Sequence, residues 1–194
     1  VPRVSEEHLN ARRQQILEAA RACFVTKGLH NTSMQDLIKE AGLSVGAVYR
    51  YFKSKDEIIA AIAETVTSGI LQHIHAVAAR RLPLAESMEA VLEAIEAQMG
   101  PGGTLPIALQ VWAEASIDPA IAAIAHERYT TLRKALQVLV EHAVESGELP
   151  AGTDVEAVTS AYYSFVPGYA LQRLLTGGPD KEIYMRGIRE LINR

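Results

Sequence analysis

Tyr49 and Lys53, and again Tyr51 and Lys55, repeat a Tyr-x-x-x-Lys spacing. That spacing places a phenol and an ammonium on one face of a helix, and it serves as an acid/base pair in some dehydrogenases. Such enzymes need a nucleotide-binding βαβ unit, and neither a strand pattern nor a Gly-x-Gly-x-x-Gly run accompanies these residues. The glycine-rich "GPGGTLP" at 100–106 lacks the Lys-Ser/Thr that completes a phosphate cradle, so we read it as a connector. His73 and His75 are two positions apart on a helical pattern and face different ways, so no metal pair is expected. Cys23, the one cysteine, falls on an apolar stripe as a small core residue and cannot close an intrachain disulfide, which fits a reducing compartment. Catalysis, cofactors and metals are therefore not expected. A tyrosine hydroxyl and a lysine ammonium are also phosphate ligands, and that is the chemistry left to them.

The stretch "GLSVGAVYRYFKSKDEI" (42–58) supports this use. Ser44 can cap a short helix in which Val48 and Phe52, four apart, share an inward face. Tyr49, Arg50 and Lys53 then point elsewhere. Gly46 and Ala47 keep the start of the helix slim enough for its backbone to approach base edges. Lys55 opens the next helix, whose free N–H groups suit an anion.

The elements that position these residues are helical nearly throughout. A first helix spans about 9–28, with Ile16, Ala20, Cys23 and Phe24 at three- and four-residue steps and Gly28 as its stop. "TSMQDLIKEAG" opens with Thr32 and has Gln35 three residues on, the capping-box spacing. Ser54 and Glu57 repeat that box before a helix to about Arg81, which Pro83 ends. Helices at about 84–99, around Trp112, from Pro119 to Gly147, from Asp154 to Gly177 and at about 180–193 follow. The acidic set Glu86, Glu89 and Glu93 reads as the wet side of the fifth. The expected class is all-α with about nine helices: a helix-turn-helix head at 1–54 and a larger domain at 55–194.

Charge separates the same two parts. The total is −4, yet residues 1–55 hold nine Lys and Arg against five Asp and Glu, while the remainder holds ten against eighteen. A basic head on an acidic body is expected to meet an anionic partner through the head. No apolar leader precedes it and no uncharged run is long enough to span a membrane, so we expect a cytoplasmic protein with no membrane partner. The chain opens on Val1, so we expect the numbering to begin inside a longer natural chain or after a cloning scar.

"TSMQDLIKEAGLSVGAVYRYFKSKDEIIAAI" closely resembles the DNA-binding segment of the TetR (tetracycline repressor) family of bacterial transcription regulators. The shared pattern is a Thr/Ser cap, an apolar-Ala-Gly turn, aliphatic-Tyr-x-Tyr/His-Phe-x-x-Lys and an acidic-aliphatic run. It covers about residues 12–62, and the second half resembles the family more loosely. The resemblance implies a homodimer through the two C-terminal helices, a small-molecule effector in the body of each subunit, and a palindromic double-stranded DNA operator. It places Thr32, Ser33, Tyr49 and Lys55 at phosphates. Gln35, Val45, Gly46, Ala47 and Arg50 fall where members meet base edges; Ser44 and Lys53 complete the DNA-binding set. Positions 45–47 carry few long polar side chains, so direct readout is expected to rest on Arg50, Gln35 and contacts to thymine methyls, with DNA shape supplying the rest.

In the second half, Tyr162, Phe165 and Tyr169 share a stripe that reads either as core or as pocket lining. The tyrosine hydroxyls need partners in an apolar domain, and a cavity holding a ligand or water would supply them. With His73, Trp112 and Tyr129 they form the candidate ligand set, His73 reading first as a hydrogen-bonded core histidine and second as a pocket residue. Glu114 is a candidate counter-charge for a cationic guest. The expected function is a ligand-responsive repressor without catalytic activity. The alternative from another class is a small-molecule-binding or enzymatic helical domain whose basic head makes protein contacts, and a gel shift with upstream DNA separates the two.

Overall fold

Nine helices and no strand make up the described residues of the computed structural model, which are 6–100 and 102–192. They are α1 (Glu6–Lys27), α2 (Met34–Ala41), α3 (Val45–Tyr51), α4 (Lys55–Ala79), α5 (Leu84–Ala97), α6 (Leu105–Glu114), α7 (Pro119–Glu145), α8 (Val155–Thr176) and α9 (Lys181–Ile192). No helix among them is long and apolar enough to cross a membrane. The all-α expectation and the number of helices hold.

The chain divides into two compact units that do not follow chain order. The first runs to Thr65 and includes Pro106–Ala125; the second comprises Val66–Leu105 and the chain from His126 onward. The expected boundary at 54/55 lies inside the first unit.

In the first unit, α1 lies against α2, and the apolar face of α1 is closed by Ile16, Leu17, Ala20 and Phe24, all with no exposed surface. Leu37 of α2, Val48 of α3 and Ile58 of α4 are equally buried, so each short helix is anchored by side chains at helical spacing. A seven-residue helix such as α3 has no independent stability, and this burial is what holds it. Cys23 is buried, and burial pushes its thiol up from its ordinary range, as expected of a core residue. From α6, Gln110 reaches the end of α1 at two points. Its Nε2 donates to the Phe24 carbonyl (3.1 Å), and its Oε1 accepts from the Leu29 N–H (2.5 Å). One amide thus satisfies the Leu29 N–H and adds a second donor to the Phe24 carbonyl, which also accepts from the Gly28 N–H. Glu114, expected as a counter-charge for a guest, instead lies 3.3 Å from Nδ1 of His30.

In the second unit, Ile74, Val77, Met88, Val91, Leu92, Leu136, Leu139, Val140, Met185 and Ile188 form one core. On the acidic face of α5, Glu86 and Glu93 are exposed and Glu89 half-buried, and that face is also paired with α9: Lys181 sits 3.1 Å from Glu93 and 3.8 Å from Glu96, and Arg189 pairs with Glu89. Opposite charge on α9 thus borders that face, while Glu86 stays exposed. At Pro167-Gly168 of α8, a Cβ added to Gly168 would stand 3.2 Å from the Tyr184 hydroxyl, which donates to the Phe165 carbonyl (2.9 Å). Glycine there lets α9 come close enough to make that bond.

Candidate nucleic-acid interface

The cap of α2 is Ser33, one residue later than the spacing suggested, and the third helical position is Asp36, not Gln35. The Asp36 N–H donates to Ser33 Oγ (3.2 Å) while the Ser33 N–H donates to Asp36 Oδ2 (2.9 Å), which closes the reciprocal box. The sequence admitted both registers, and a carboxylate accepts two donors at once where Gln35 would offer one carbonyl. Lys27, at the end of α1, places Nζ 2.5 Å from Asp36 Oδ1 and so ties α1 to the head of α2. This shift releases Gln35, whose side chain is exposed. It also moves Thr32 out of the surface set: Thr32 is buried and its hydroxyl donates to the Gly28 carbonyl (2.7 Å), bracing the turn between α1 and α2.

The hydrogen bonds from Lys27 and Ser33 hold the Asp36 carboxyl below the ordinary carboxylate range. A depressed folded-state value means that this support is present above the unfolded value near 3.9 and is lost as pH falls through the folded one. The head is therefore expected to lose stability on acidification below about pH 4. Asp36→Asn should lower its melting temperature at neutral pH and remove this share of the acid dependence; an unchanged acid profile in Asp36→Asn would contradict the assignment.

Gly42 ends α2 in the left-handed region (φ 63°) and turns its N–H back to Lys39, after which Ser44 caps α3 by accepting from the Ala47 N–H at 3.3 Å. Val48 and Phe52 are buried, as their spacing predicts, and the Arg13 guanidinium lies 5.3 Å from the centroid of the Phe52 ring. With that face anchored, Ser44, Val45, Gly46, Tyr49 and Arg50 are exposed together and Ala47 is half-buried beside them. Gly46 has ordinary helical geometry, and a Cβ built on it meets no atom within 4 Å. Nothing inside the chain requires a glycine there.

Both lysines after α3 have partners inside the protein. Lys53 is exposed and its Nζ donates to the Tyr49 carbonyl, at the open end of α3. Lys55 is half-buried and its Nζ donates to the Leu29 carbonyl (2.9 Å), linking the start of α4 to the turn after α1. Each ammonium has two further donors. The surface is thus one slim helix face with a guanidinium, a phenol, a serine and two ammonium groups at its rim.

The six candidate ligand residues divide between the two units. Trp112 stands in the first unit, partly exposed. In the second, His73 pairs Nε2 with the Ala90 carbonyl (2.7 Å), the core-histidine role that the sequence left open. The hydroxyl argument changes for two tyrosines. Tyr162 donates to the Leu84 carbonyl (2.7 Å) and Tyr169 to Glu96 Oε1 (2.6 Å), so both hydroxyls are satisfied by the protein. Burial raises the Tyr162 phenol, with Glu148 adding; burial and the Glu96 hydrogen bond raise that of Tyr169. Tyr162 meets Phe165 edge-on, with centroids 6.2 Å apart. Tyr129, partly exposed, meets Tyr163 edge-on at 4.8 Å, and burial beside Tyr129 pushes the Tyr163 phenol up to about 12. Asp36, Gln110 and Tyr184 escaped the sequence reading; their partners lie 9 to 86 positions away, except for the local Ser33–Asp36 box, which the shifted cap could have revealed.

Against known proteins, residues 16–62 match the model of bacterial regulatory proteins, tetR family, and residues 83–193 match that of the BetI-type transcriptional repressor C-terminal domain. The chain is 45% identical over 64 residues to the HTH-type transcriptional regulator YfiR of Bacillus subtilis, a match covering 33% of this chain and 31% of that one. It therefore spans about a third of that relative. The HTH-type regulator ArpR of Pseudomonas putida is 26% identical, over 86% of this chain and 81% of its own. A solved structure of the transcriptional regulator FadR from Bacillus subtilis in complex with stearoyl-CoA superposes with a TM-score of 0.78 at 18% identity, over 92% of this chain and 96% of that one.

Proposed function

Because the chain belongs to the tetR family of bacterial regulatory proteins, we propose that it is a repressor that binds a near-palindromic duplex as a homodimer and leaves it when a small effector binds. The observation that carries this reading is the exposed face of α3, with Ser44, Val45, Gly46, Tyr49 and Arg50 held outward by the Ser44 cap and the buried Val48 and Phe52. Such a helix fits the major groove, and two of them related by a two-fold axis require half-sites about one helical turn apart or a multiple of it. Gln35 and Arg50 face base edges; Ser33, Tyr49, Lys53 and Lys55 face phosphates. Thr32 supports the turn behind them. Enrichment of bound duplexes from a random pool tests the reading. A two-fold-related pair of half-sites is expected, and a pool that never enriches would refute it.

The effector in this reading is mostly apolar, with an aromatic or cationic part, and it meets the half-buried aromatic rings of the second unit. Tyr129, Tyr163 and Phe165 supply faces and edges, while Tyr162 and Tyr169 hold them in place through hydroxyls already bonded to the protein. A regulator of this fold solved in complex with stearoyl-CoA, a ligand with a long apolar acyl chain, supports a guest with an apolar part. The guest acts through a difference in affinity for the two states of the protein, about 1.4 kcal/mol for each tenfold release. A compound screen should yield a molecule that releases the selected duplex from the wild type. Phe165→Ala should shift its release curve to higher concentration by tenfold or more; an unchanged curve would place the guest elsewhere.

A further inference from the structure

We propose that Arg133 of α7, together with the rings of Tyr129 and Tyr163, forms a recognition site for a small aromatic carboxylate. The inference rests on the effector reading above and decides between its two chemistries, the aromatic and the cationic. Two contacts between α7 and α8 define the place. Arg133, whose side chain is 19% exposed, reaches α8 through Nη2, which donates to Ser160 Oγ (3.0 Å), the Glu156 carbonyl (3.3 Å) and Glu156 Oε1 (3.4 Å). Four residues back along α7 and three further along α8, Tyr129 meets Tyr163 edge-on, with ring centroids 4.8 Å apart and planes at 74°. Residues three or four apart on a helix are neighbours on one face. The guanidinium and the ring pair therefore lie side by side, within the second unit.

The groups left open beside the rings are donors. All three bonds of Arg133 leave from Nη2, and among the described residues nothing bonds the N–H groups of its Nε and Nη1. The hydroxyls of Tyr162, Tyr169 and Tyr184 each donate to the protein, whereas those of Tyr129 and Tyr163 bond no described residue. Burial pushes the Tyr163 phenol up to about 12, so it remains a donor at neutral pH. The one carboxylate at the edge, that of Glu156, is 84% exposed and touches the guanidinium at a single corner, which leaves it room to turn into water. Open donors beside an aromatic pair complement an anion carried on a flat apolar body. A guanidinium binds a carboxylate through parallel N–H bonds, and its fixed positive charge disfavours a cation one helical turn away. The Tyr129 ring, 41% exposed, offers a surface to the guest's own ring. The polar end of the guest is thus an acid and not an ammonium.

Three probes test the assignment on the full-length protein with isotope-labelled tyrosine rings followed by NMR: phenylacetate, its neutral counterpart phenylacetamide, and the cation benzyltrimethylammonium. Phenylacetate should shift the ring signals of Tyr129 and Tyr163 saturably, these signals being identified with Tyr129→Phe and Tyr163→Phe. The amide and the cation should bind about tenfold more weakly or worse, the scale of one charge-assisted hydrogen bond. Arg133→Gln should bring the acid down to the level of the amide while the far-ultraviolet helical signal persists, and Arg133→Lys should restore part of the preference. Equal binding of acid and amide by the wild type, a preference that survives in Arg133→Gln, or no movement of the two ring signals would each overturn the inference. A screened compound that releases the selected duplex from Arg133→Gln at the same concentration as from the wild type would overturn it too, and leave the effector reading standing. If no compound releases the duplex, the effector reading fails, while the dependence of phenylacetate binding on Arg133 still decides the site.

Discussion

Leu175→Glu combined with Leu191→Glu is expected to make the protein monomeric and to lower its affinity for a two-half-site duplex by a hundredfold or more. Leu175 of α8 is 70% exposed and Leu191 of α9 is 69% exposed, and Leu171 and Ile183 on the same two helices are also open. An isolated subunit would leave these side chains in water on adjoining helices. Covering a leucine fully gains about 1.5–3 kcal/mol, and a two-fold interface counts each residue twice. A carboxylate at both positions replaces that gain with buried like charges. Dimerisation matters for DNA because the second head then binds within the same complex, at an effective concentration in the millimolar range; losing that linkage costs about 10²–10⁴ in affinity. Sedimentation velocity and duplex anisotropy on the same samples check both halves. A double variant that remains dimeric would show that the two-fold contact lies on another face.

Gly46→Leu should separate stability from binding. Glycine within a helix costs about 0.5–1 kcal/mol relative to a good helix former, and nothing in the chain occupies the space that a new side chain would enter. The variant is therefore expected to melt at the same temperature as the wild type or slightly above it. In the groove, the same leucine must occupy space between the helix backbone and the base edges, so affinity for the selected duplex should fall tenfold or more. Thermal melting and anisotropy together decide the point. A leucine variant that binds DNA as well as the wild type would mean that α3 does not approach the bases at this position.

What the sequence shows, and what it hides, divides along physical lines. Helical periodicity, stops at Gly28 and Gly42 and the Asp118-Pro119 start are local signals, and the helices follow them closely. The inward pair Val48 and Phe52 was legible because four-residue spacing leaves one face available for both. The cap of α2 was legible only to within one residue, because Thr32-Ser33 offers two candidate hydroxyls and the burial of Thr32 chooses between them. Partnerships across long separations were not legible. Gln110 closing the end of α1, Lys181 and Arg189 covering the acids of α5, and Glu96 receiving the Tyr169 hydroxyl all depend on which helices become neighbours. For that reason the ion pairs on the acidic face of α5 were not foreseen and the tyrosines read as lacking partners. The exposed face of α3, whose residues fall in one short segment, was legible almost whole.

The most direct test of the central claim is the base preference of Arg50→Ala compared with that of Lys53→Ala. Lys53 suits the comparison better than Lys55, because Lys55 braces the turn after α1 and its loss would mix stability with contact. Affinities are measured against every single-base variant of the selected half-site, over a range of salt concentrations. If Arg50 reads a base and Lys53 a phosphate, Arg50→Ala loses discrimination at one position per half-site, worth about 1–3 kcal/mol. Lys53→Ala instead weakens all sequences alike and reduces the salt slope by about two, one phosphate for each half-site. Equal, sequence-blind losses in the two variants would contradict the claim that the exposed face of α3 reads DNA sequence.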